Sequence, residues 1–482
     1  MIYSNPRFLN SSIPRRNWTF CSRLMIRHMY LVCWMALPVL GFGQHPPEKT
    51  GGQEVWRGGG ATGEIRVYFN HWVEESLSNG AAPDGTNPNQ LEAAILERID
   101  AAQLSIDVAA YNLTRQNIMG ALKAAHQRGV RVRLVYDDQQ DNSALSPPPP
   151  FPILSDQGSE GLMHNKFLVI DAADPQNAWV ITGSTNFTFN GVVNNFNNLV
   201  MVQDQALAQA YQLEFNEMWG SEGGTPNLSN ARFGAEKTDN TPHFFTIGGH
   251  MVECWFSPSD FTTDAIRNAL NSADHSIHFA VFSFTHDDLG TALIAAHQRG
   301  VFTKGIIEGI DDTGNEFNRL KNAGVWVQSH PQNFFVHHKY AIVDAQAPDS
   351  DPLVITGSHN WTYSAEFRND ENTLIFHDPD LANIFLQEFE ARWQQITPTE
   401  QAPTPASFSV FPNPTPGPLH LQPPQPTPAR LPWTLYDAHG RLLQGGILPN
   451  PVAGALLTRL DGLPSGTYFL SVRGEAVRVV KQ

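Results

Sequence analysis

Two segments of the chain repeat the same order of chemically active side chains. Residues 164–171 read His-Asn-Lys-Phe-Leu-Val-Ile-Asp, and residues 337–344 read His-His-Lys-Tyr-Ala-Ile-Val-Asp. Downstream of each comes Val-Ile-Thr-Gly-Ser-x-Asn, at residues 180–186 and 354–360. One His-x-Lys pattern alone would be weak evidence for a site. Two copies with the same downstream segment are not a chance match.

The histidine and lysine of each copy are suited to work on a phosphate ester. Because side chains alternate along a strand, His164 and Lys166 are predicted to share one face. In a protein core this pair would be unfavourable, since burying an unpaired charge is costly. Beside a phosphate, lysine supplies positive charge and imidazole exchanges protons near neutral pH. Neutral donors of the Gly-Ser turns complete the predicted phosphate site: Ser184, Asn186, Ser358 and Asn360.

The aspartate at the end of each segment has a different predicted role. Asp171 and Asp344 follow the apolar residues of the motif strand. A carboxylate there can accept hydrogen bonds from backbone or lysine. We therefore expect these two residues to support the strand ends or the lysines rather than to contact substrate.

The motifs match the pattern of the phospholipase D superfamily, and the resemblance covers roughly residues 65–396. It implies two halves that share one site, and a phosphodiesterase that needs no metal or other cofactor. One histidine would attack phosphorus to form a phosphohistidine, while the other would protonate the leaving oxygen. The residues of the implied catalytic motifs are His164, Lys166, Asp171, His337, Lys339 and Asp344.

The halves differ at the residue expected to orient each histidine. The family often has Asn-x-Glu-Asn after the Gly-Ser turn, and its glutamate hydrogen-bonds a catalytic histidine. The second half has this glutamate, Glu371, whereas the first half has Asn197 at the matching position. We predict that Asn197 orients a neutral, nucleophilic His164, and that Glu371 orients His337 and favours its protonated form. A carboxylate can also assist a nucleophile, so the reverse assignment stays open.

The elements that position these residues are duplicated as well. The segment Ala-Ala-His-Gln-Arg-Gly-Val occurs at residues 124–130 and again at 295–301, so the repeats stay in register. Each repeat is predicted to alternate strands with helices and to end in a closing helix, which indicates an α/β fold. We expect a duplicated phospholipase D-like fold of two α/β/α halves, at 55–220 and 251–396, with a connector at 221–250.

The two ends of the chain indicate export. Residues 1–43 contain five arginines, no acidic residue and a short apolar run, as a leader with a signal peptide does. After a Pro/Thr-rich linker at 397–406, residues 407–482 predict a small all-β sandwich. This segment closely resembles the type A sorting domain of the type IX secretion system. The resemblance implies the secretion machinery as a partner and a secreted or cell-surface location. A carbohydrate-binding or adhesive β-module is the alternative.

Composition bears on the substrate. The formal net charge is −16, whereas nucleic-acid binding normally relies on a basic surface. We therefore expect a phospholipase D acting on phospholipid headgroup diesters, with a membrane surface as a candidate partner. The alternatives are a nuclease of the same superfamily, acting on nucleic acid, and a non-catalytic binding protein. Both motifs lie in one chain, so the site requires no oligomer. Cys254 is the one cysteine beyond the leader, which excludes an intrachain disulfide in the mature protein.

Overall fold

The computed structural model describes most of the chain that follows the predicted leader. By its contacts the chain divides into two units, Met1–Gly43 and Gln44–Gln482, and every described residue belongs to the second unit. The described residues are 48–50, 53–56, 63–330, 334–396, 408–422, 430–437, 442–449, 451–472 and 475–482. The predicted leader at 1–43 and the predicted linker at 397–406 lie outside them.

Strands alternate with helices through residues 64–396, and the described residues beyond form strands. The strands are β1 Glu48–Thr50, β2 Gln53–Trp56, β3 Glu64–Phe69, β4 Ser105–Ala110, β5 Arg131–Tyr136, β6 Ile153–Ser155, β7 Lys166–Ile170, β8 Trp179–Gly183, β9 Asn198–Gln203, β10 Phe244–Ile247, β11 His250–Ser257, β12 Ser276–Val281, β13 Phe302–Ile307, β14 Trp326–Gln328, β15 Lys339–Val343, β16 Leu353–Gly357, β17 Glu371–Phe376, β18 Ser409–Phe411, β19 Pro418–Gln422, β20 Arg430–Asp437, β21 Leu442–Pro449, β22 Ala455–Arg459, β23 Gly466–Val472 and β24 Glu475–Lys481. The α-helices are α1 Pro88–Ala101, α2 Gln116–Gln127, α3 Gln205–Trp219, α4 Thr262–Asn271, α5 Asp287–Arg299, α6 Phe317–Asn322, α7 Tyr363–Phe367 and α8 Pro379–Ile396.

The two halves have the same sheet topology. The first sheet has the strand order β3-β9-β8-β7-β4-β5-β6. The second repeats it as β11-β17-β16-β15-β12-β13-β14, with β10, β2 and β1 added beyond β11. In both sheets the strand that begins with the motif lysine, β7 or β15, lies beside the strand that ends in the Gly-Ser turn. The predicted α/β fold class and its duplication are confirmed.

Each sheet is covered on both faces. Buried residues of α1 and α2 pack on the outer face of the first sheet, and those of α4 and α5 on the outer face of the second. Between the sheets, α3 and α8 join residues of both halves in one apolar core. Each large apolar side chain fully buried there contributes about 1.5–3 kcal/mol. The shared core therefore holds the two halves in a fixed relative position.

The helix ends follow local sequence signals. Asn87 caps α1 by accepting a hydrogen bond from the Gln90 backbone nitrogen at 3.1 Å, and Pro88 occupies the first helical position. A glycine just after a helical pattern predicts a helix end, and Gly129 and Gly300 do follow α2 and α5, with φ of 95° and 100°.

Two predicted boundaries are wrong. Phe244–Ile247, which we assigned to the connector, pairs antiparallel with β11 in the second sheet. The second half therefore gains a hairpin that begins before residue 251. The apolar pattern of the sequence predicts a strand from Ser276 to Phe284, but β12 ends at Val281. From Phe282 onwards the backbone instead contacts the segment preceding β15 and the turn that follows β16.

The C-terminal strands form two small sheets, β18-β19-β22 and β21-β20-β23-β24. Leucines of both sheets share one buried cluster, with Leu419 and Leu421 from the first and Leu435 and Leu470 from the second. This arrangement confirms the predicted all-β region. In the described part of the chain, no helix is long and apolar enough to cross a membrane.

Candidate active site

The two His-Lys pairs lie where the two halves meet. In each half the lysine is the first residue of the motif strand, and the histidine lies two residues before it. Lys166 Nζ donates to the carbonyl oxygen of His164 at 2.6 Å, and Lys339 Nζ donates to that of His337 at 2.8 Å. All four residues are buried. The same local geometry in both halves turns each ammonium back toward its own histidine.

The residue that orients each histidine comes from the other half. Nδ1 of His164 donates to Oε2 of Glu371 at 2.6 Å, and Nδ1 of His337 donates to Oδ1 of Asn197 at 2.9 Å. The prediction that Asn197 serves His164 and Glu371 serves His337 is therefore wrong. In both rings the bond fixes the proton on Nδ1 and leaves Nε2 to face a substrate.

This exchange follows from how the backbones of the two halves pair. Met163 and Asp370 form a parallel bridge across the seam, and so do Phe196 and Val336. Each bridge joins the residue before a motif histidine to the residue before the other half's Glu371 or Asn197. Glu371 and Asn197 therefore each lie beside the histidine of the other half rather than beside the histidine of their own half.

The cluster is electrostatically suited to an anion. Burial lowers the pKa of His164 and His337 well below the usual value, and the charges of both lysines lower it further. Burial also lowers the pKa of Lys166 to about 7 and that of Lys339 well below its usual range. A phosphate oxyanion placed here would favour the protonated form of all four groups.

Comparison with known proteins assigns the family. The model of the family described as "Cardiolipin synthase, PLD-like domain" matches residues 95–219 and 266–393, just over half of the chain. The chain belongs to the phospholipase D superfamily. The "Mitochondrial cardiolipin hydrolase" of Mus musculus is 34% identical over 162 residues, which make up 33% of this chain and 67% of that protein.

Two further matches cover similar shares of the chain. The "Mitochondrial cardiolipin hydrolase" of Homo sapiens is 34% identical over 150 residues, 30% of this chain and 57% of that protein. Nuc from Salmonella typhimurium, a phospholipase D family member of solved structure, is 35% identical. That match covers 30% of this chain and 94% of that chain, with a TM-score of 0.27. The chain thus spans little more than half the length of the human relative.

The serine hydroxyls of the two Gly-Ser turns are not available to bind phosphate. Ser184 Oγ donates to Asn197 Oδ1 at 2.8 Å and accepts from the Asn198 backbone nitrogen. Burial raises the pKa of Glu371, and a hydrogen bond from Ser358 opposes that rise. The predicted phosphate-binding role of Ser184 and Ser358 is therefore wrong, because each hydroxyl is hydrogen-bonded to the side chain that orients a histidine.

The asparagines of the Gly-Ser turns are different. Asn186 and Asn360 are half-buried, and the Oδ1 atom of each is buried with no hydrogen-bond partner among the described residues. An amide without a protein partner fits a ligand-binding role. Gly183 precedes one turn with φ of 140°, and a Cβ there would lie 2.5 Å from the Asn198 carbonyl oxygen. The glycine thus permits the close approach that sets the turn.

The motif aspartates do not contact the cluster. Asp171 accepts hydrogen bonds from the backbone nitrogens of residues 103–105 at 2.7–2.8 Å. Asp344 does the same for residues 274–276. Both follow the last residue of the motif strand, about 16 Å from the lysine along it. Their place in the catalytic set is therefore wrong, whereas the expected role in supporting strand ends agrees with these contacts.

The residue between histidine and lysine in each motif lies on the opposite face of the strand. His338 is fully buried, with ring nitrogens 3.0 Å from Glu388 Oε1 and 3.1 Å from Asn198 Nδ2. Asn165 accepts from Asn372 Nδ2 at 2.7 Å. Because it faces away from the motif histidine and lysine, His338 is predicted to be dispensable for catalysis. Its buried contacts with the first half indicate a structural role.

Sequence reasoning missed two aromatic residues beside the cluster. Tyr111 packs edge-on against the His164 ring at 4.4 Å, with Lys166 Nζ 4.6 Å from its ring centre. Phe282 lies 4.9 Å from the His337 ring in the second half. Tyr111 follows β4 and Phe282 follows β12, the strands that pair with the motif strands β7 and β15. An aromatic residue at the end of a buried strand is ordinarily assigned to the core. Their repeated position in the two halves was the available signal.

His359 was read as the variable residue of Gly-Ser-x-Asn, but it lies close to the orienting carboxylate. Its Nδ1 is 2.8 Å from Ser257 Oγ, and burial lowers its pKa to about 4. Glu371 and His359 affect one another's pKa. Both residues are buried, so a neutral His359 lies near Glu371 without adding charge.

One group in the described residues has the composition of a metal site. Asp239, His243 and Asp260 lie close enough to share an ion. They lie on the hairpin side of the second half rather than among the His-Lys pairs. His243 is already hydrogen-bonded to Asp239 at 3.2 Å and to the Cys254 carbonyl oxygen at 2.9 Å.

Proposed function

We propose that the protein is a phospholipase D that hydrolyses the headgroup diester of phospholipids to phosphatidic acid through a phosphohistidine. The observation that carries the proposal is the pair of buried His-Lys units at the seam. Two cations and two imidazoles in one water-poor site can bind a phosphodiester anion and exchange protons on both sides of phosphorus.

The proposed reaction has two steps. His164 Nε2 attacks phosphorus, forming a P–N bond, while the P–O bond to the headgroup breaks and His337 protonates the leaving oxygen. His337 then removes a proton from water, which attacks phosphorus and breaks the P–N bond. Attack makes the His164 ring cationic, and the Glu371 carboxylate stabilises that cation. The neutral amide of Asn197 stabilises an imidazolium less, which makes His337 the stronger acid.

Exposed aromatic residues near the cluster support a lipid substrate. Phe335 is 50% exposed and packs against Phe282, which in turn packs against the His337 ring. The rings of Phe335 and Phe282 thus form an apolar path from solvent to the His337 ring. Acyl chains or the membrane surface would contact this path. The acidic chain and the name of the cardiolipin hydrolases it resembles also favour lipid.

A nuclease of the same superfamily is the alternative, because the cluster itself recognises only the phosphodiester. The deciding experiment incubates the purified protein with phosphatidylcholine, cardiolipin and plasmid DNA. We expect phosphatidic acid from lipid and intact plasmid. Loss of activity in both His164→Ala and His337→Ala is the control for a contaminating enzyme. Cleaved plasmid with intact lipid would reverse the assignment.

Activity is expected to survive EDTA. The lysines supply the positive charge that a divalent cation provides in other phosphodiesterases. Activity is measured after dialysis against EDTA and again after a divalent ion is added. Complete loss that the ion restores would contradict the proposed chemistry.

We further propose that the protein is exported and crosses the outer membrane by type IX secretion. The leader pattern and the sorting-domain resemblance of residues 407–482 support this proposal. Detection of the protein in culture medium or on the cell surface tests it.

A further inference from the structure

A second polar site lies beside the catalytic cluster. A cavity of about 630 Å³ opens at the seam. It is lined by residues of the segment 156–161 in the first half, by residues of the segment 228–236, and by Tyr363, Phe367 and Arg368 of the second half. None of the site residues predicted from the sequence lines it.

Asp156 contributes a buried carboxylate to the lining of the cavity. The residue is 1% exposed, and its Oδ2 atom has no hydrogen-bond partner among the described residues. Its Oδ1 accepts from the Asp138 backbone nitrogen at 3.2 Å. A buried carboxylate oxygen without a partner is costly unless a ligand satisfies it.

The remaining lining selects a cation. Glu160 and Glu236 add two exposed carboxylates, and Arg368 offsets one of them. Tyr363 and Phe367 are 59% and 45% exposed, with ring centres 4.4 Å apart. Aromatic faces next to carboxylates recognise ammonium groups, including quaternary ones.

The cavity is connected to the catalytic cluster by short stretches of chain. Gly161 lies three residues before His164, and Arg368 three residues before Glu371. Between them, the Leu162 backbone nitrogen donates to Asn369 Oδ1 at 3.1 Å, and Asn369 Nδ2 donates to Glu371 Oε1 at 3.3 Å. A group in the cavity therefore lies on the Glu371 side of the phosphate site.

Among the residues that the structure describes, the equivalent place in the second half has a different composition. After β14 comes His330, whose Nδ1 lies 3.5 Å from Glu308 Oε2. Asp156, which follows the matching strand β6, faces Asp137 and Asp138 instead. The two sides of the phosphate site thus differ in charge, and a substrate with one cationic end would bind in one direction.

We propose that this cavity binds an ammonium group, and that it receives the amino-alcohol headgroup of the substrate. The assignment of the headgroup to this cavity rests on the proposed phospholipase function. The expected substrate therefore differs from cardiolipin, the lipid in the name of the relatives. Cardiolipin has no cationic group, whereas a phospholipid with an amino-alcohol headgroup has one.

Binding should depend on pH through Asp156. Burial, together with the charges of Asp137 and Asp138, raises its pKa to about 7. The carboxylate is therefore protonated below pH 7 and charged above it. The other charged groups facing the cavity are Glu160, Glu236 and Arg368. If choline binds only the charged form, it should bind about tenfold more tightly at pH 8 than at pH 6.

Calorimetric titration of the full chain with choline chloride at both pH values tests this inference. Asp156→Asn should remove most of the affinity and its pH dependence, whereas Glu160→Gln, on the exposed rim, should retain the pH dependence. Sulfate binding to the His-Lys cluster checks that each variant is folded. Should Asp156→Asn not fold, Tyr363→Ala is expected to weaken choline binding by about 2- to 5-fold.

The outcomes separate this inference from the proposed function. Absence of choline binding at pH 8, or equal binding by Asp156→Asn, would overturn the ammonium site whatever the enzyme hydrolyses. Choline binding through Asp156 without lipid hydrolysis would leave the site standing and overturn the phospholipase assignment. With both intact, Asp156→Asn should lower kcat/KM for phosphatidylcholine about tenfold relative to phosphatidylglycerol at pH 8.

Discussion

At the scale of single residues, the catalytic cluster is chemically asymmetric although its backbone repeats. A carboxylate holds His164 and an amide holds His337. Burial keeps the pKa of both rings low, so both are neutral until an anion enters. The histidine beside Glu371 is then better suited to become a phosphorylated cation, and the other to give up a proton. This supports His164 as the predicted nucleophile, but for a different reason. From sequence, His164 was expected to pair with the neutral amide of Asn197, whereas in the structure it pairs with the carboxylate of Glu371.

The assignment of nucleophile and acid can be tested by trapping. His337→Ala should accumulate a phosphoryl group on His164 with a substrate such as bis(p-nitrophenyl) phosphate, whose leaving group needs little protonation. With phosphatidylcholine, loss of the acid should lower kcat by about 10²- to 10⁴-fold. Mass spectrometry locates the adduct. His164→Ala should give none, and an adduct on His337 would mean that the roles are reversed.

Anion binding should weaken as pH rises through the pKa of Lys166. Burial lowers this pKa to about 7, so the ammonium is charged below pH 7 and largely neutral above it. Sulfate, whose charge is constant in this range, should bind about tenfold more weakly at pH 8 than at pH 6 if the charged lysine is required. Sulfate inhibition constants at both values provide the measurement. Lys166→Met should flatten the profile, and an unchanged profile in that variant would exclude Lys166 as its source.

At the scale of elements, sequence predicted what alternation and local spacing determine. It gave the motif strands, the face shared by His164 and Lys166, and the glycines after α2 and α5. It could not predict which half's Asn197 or Glu371 reaches which histidine, because that depends on how two separately folded sheets pack. The hydrogen bond from the Ser184 hydroxyl to Asn197 was missed for a different reason, because both residues belong to the first half and meet only when its sheet has folded.

The motif strands depend on their terminal aspartates for stability rather than chemistry. Asp171 has φ of 50° and accepts backbone hydrogen bonds from residues 103–105. Asp171→Ala should lower the free energy of unfolding by about 2–4 kcal/mol, because buried donors lose a charged acceptor. Denaturant titration measures this loss, and Asp344→Ala is the matched variant in the other half. A large fall in kcat without loss of stability would instead restore the aspartate to the catalytic set.

At the scale of the whole molecule, the two halves form one catalytic unit. Helices α3 and α8 share a core with both sheets, and each histidine is held by the other half. Every residue of the cluster lies between Tyr111 and Glu371. The C-terminal sandwich contributes none of them, although Tyr436 contacts Phe302 with ring centres 4.9 Å apart.

Removal of residues 397–482 should therefore separate activity from export. The truncated protein is expected to keep its kcat/KM for lipid, because the cluster and the cavity beside it are built from residues before 397. Exposure of Phe302 should cost stability, by up to about 1.5–3 kcal/mol if its ring becomes fully exposed. In cells, the truncated protein should accumulate in the periplasm while the full chain reaches the medium or the cell surface. Fractionation with activity assays distinguishes the outcomes. A truncated enzyme that is folded but inactive would show that the sandwich takes part in catalysis, and unchanged export would contradict its role as a sorting domain.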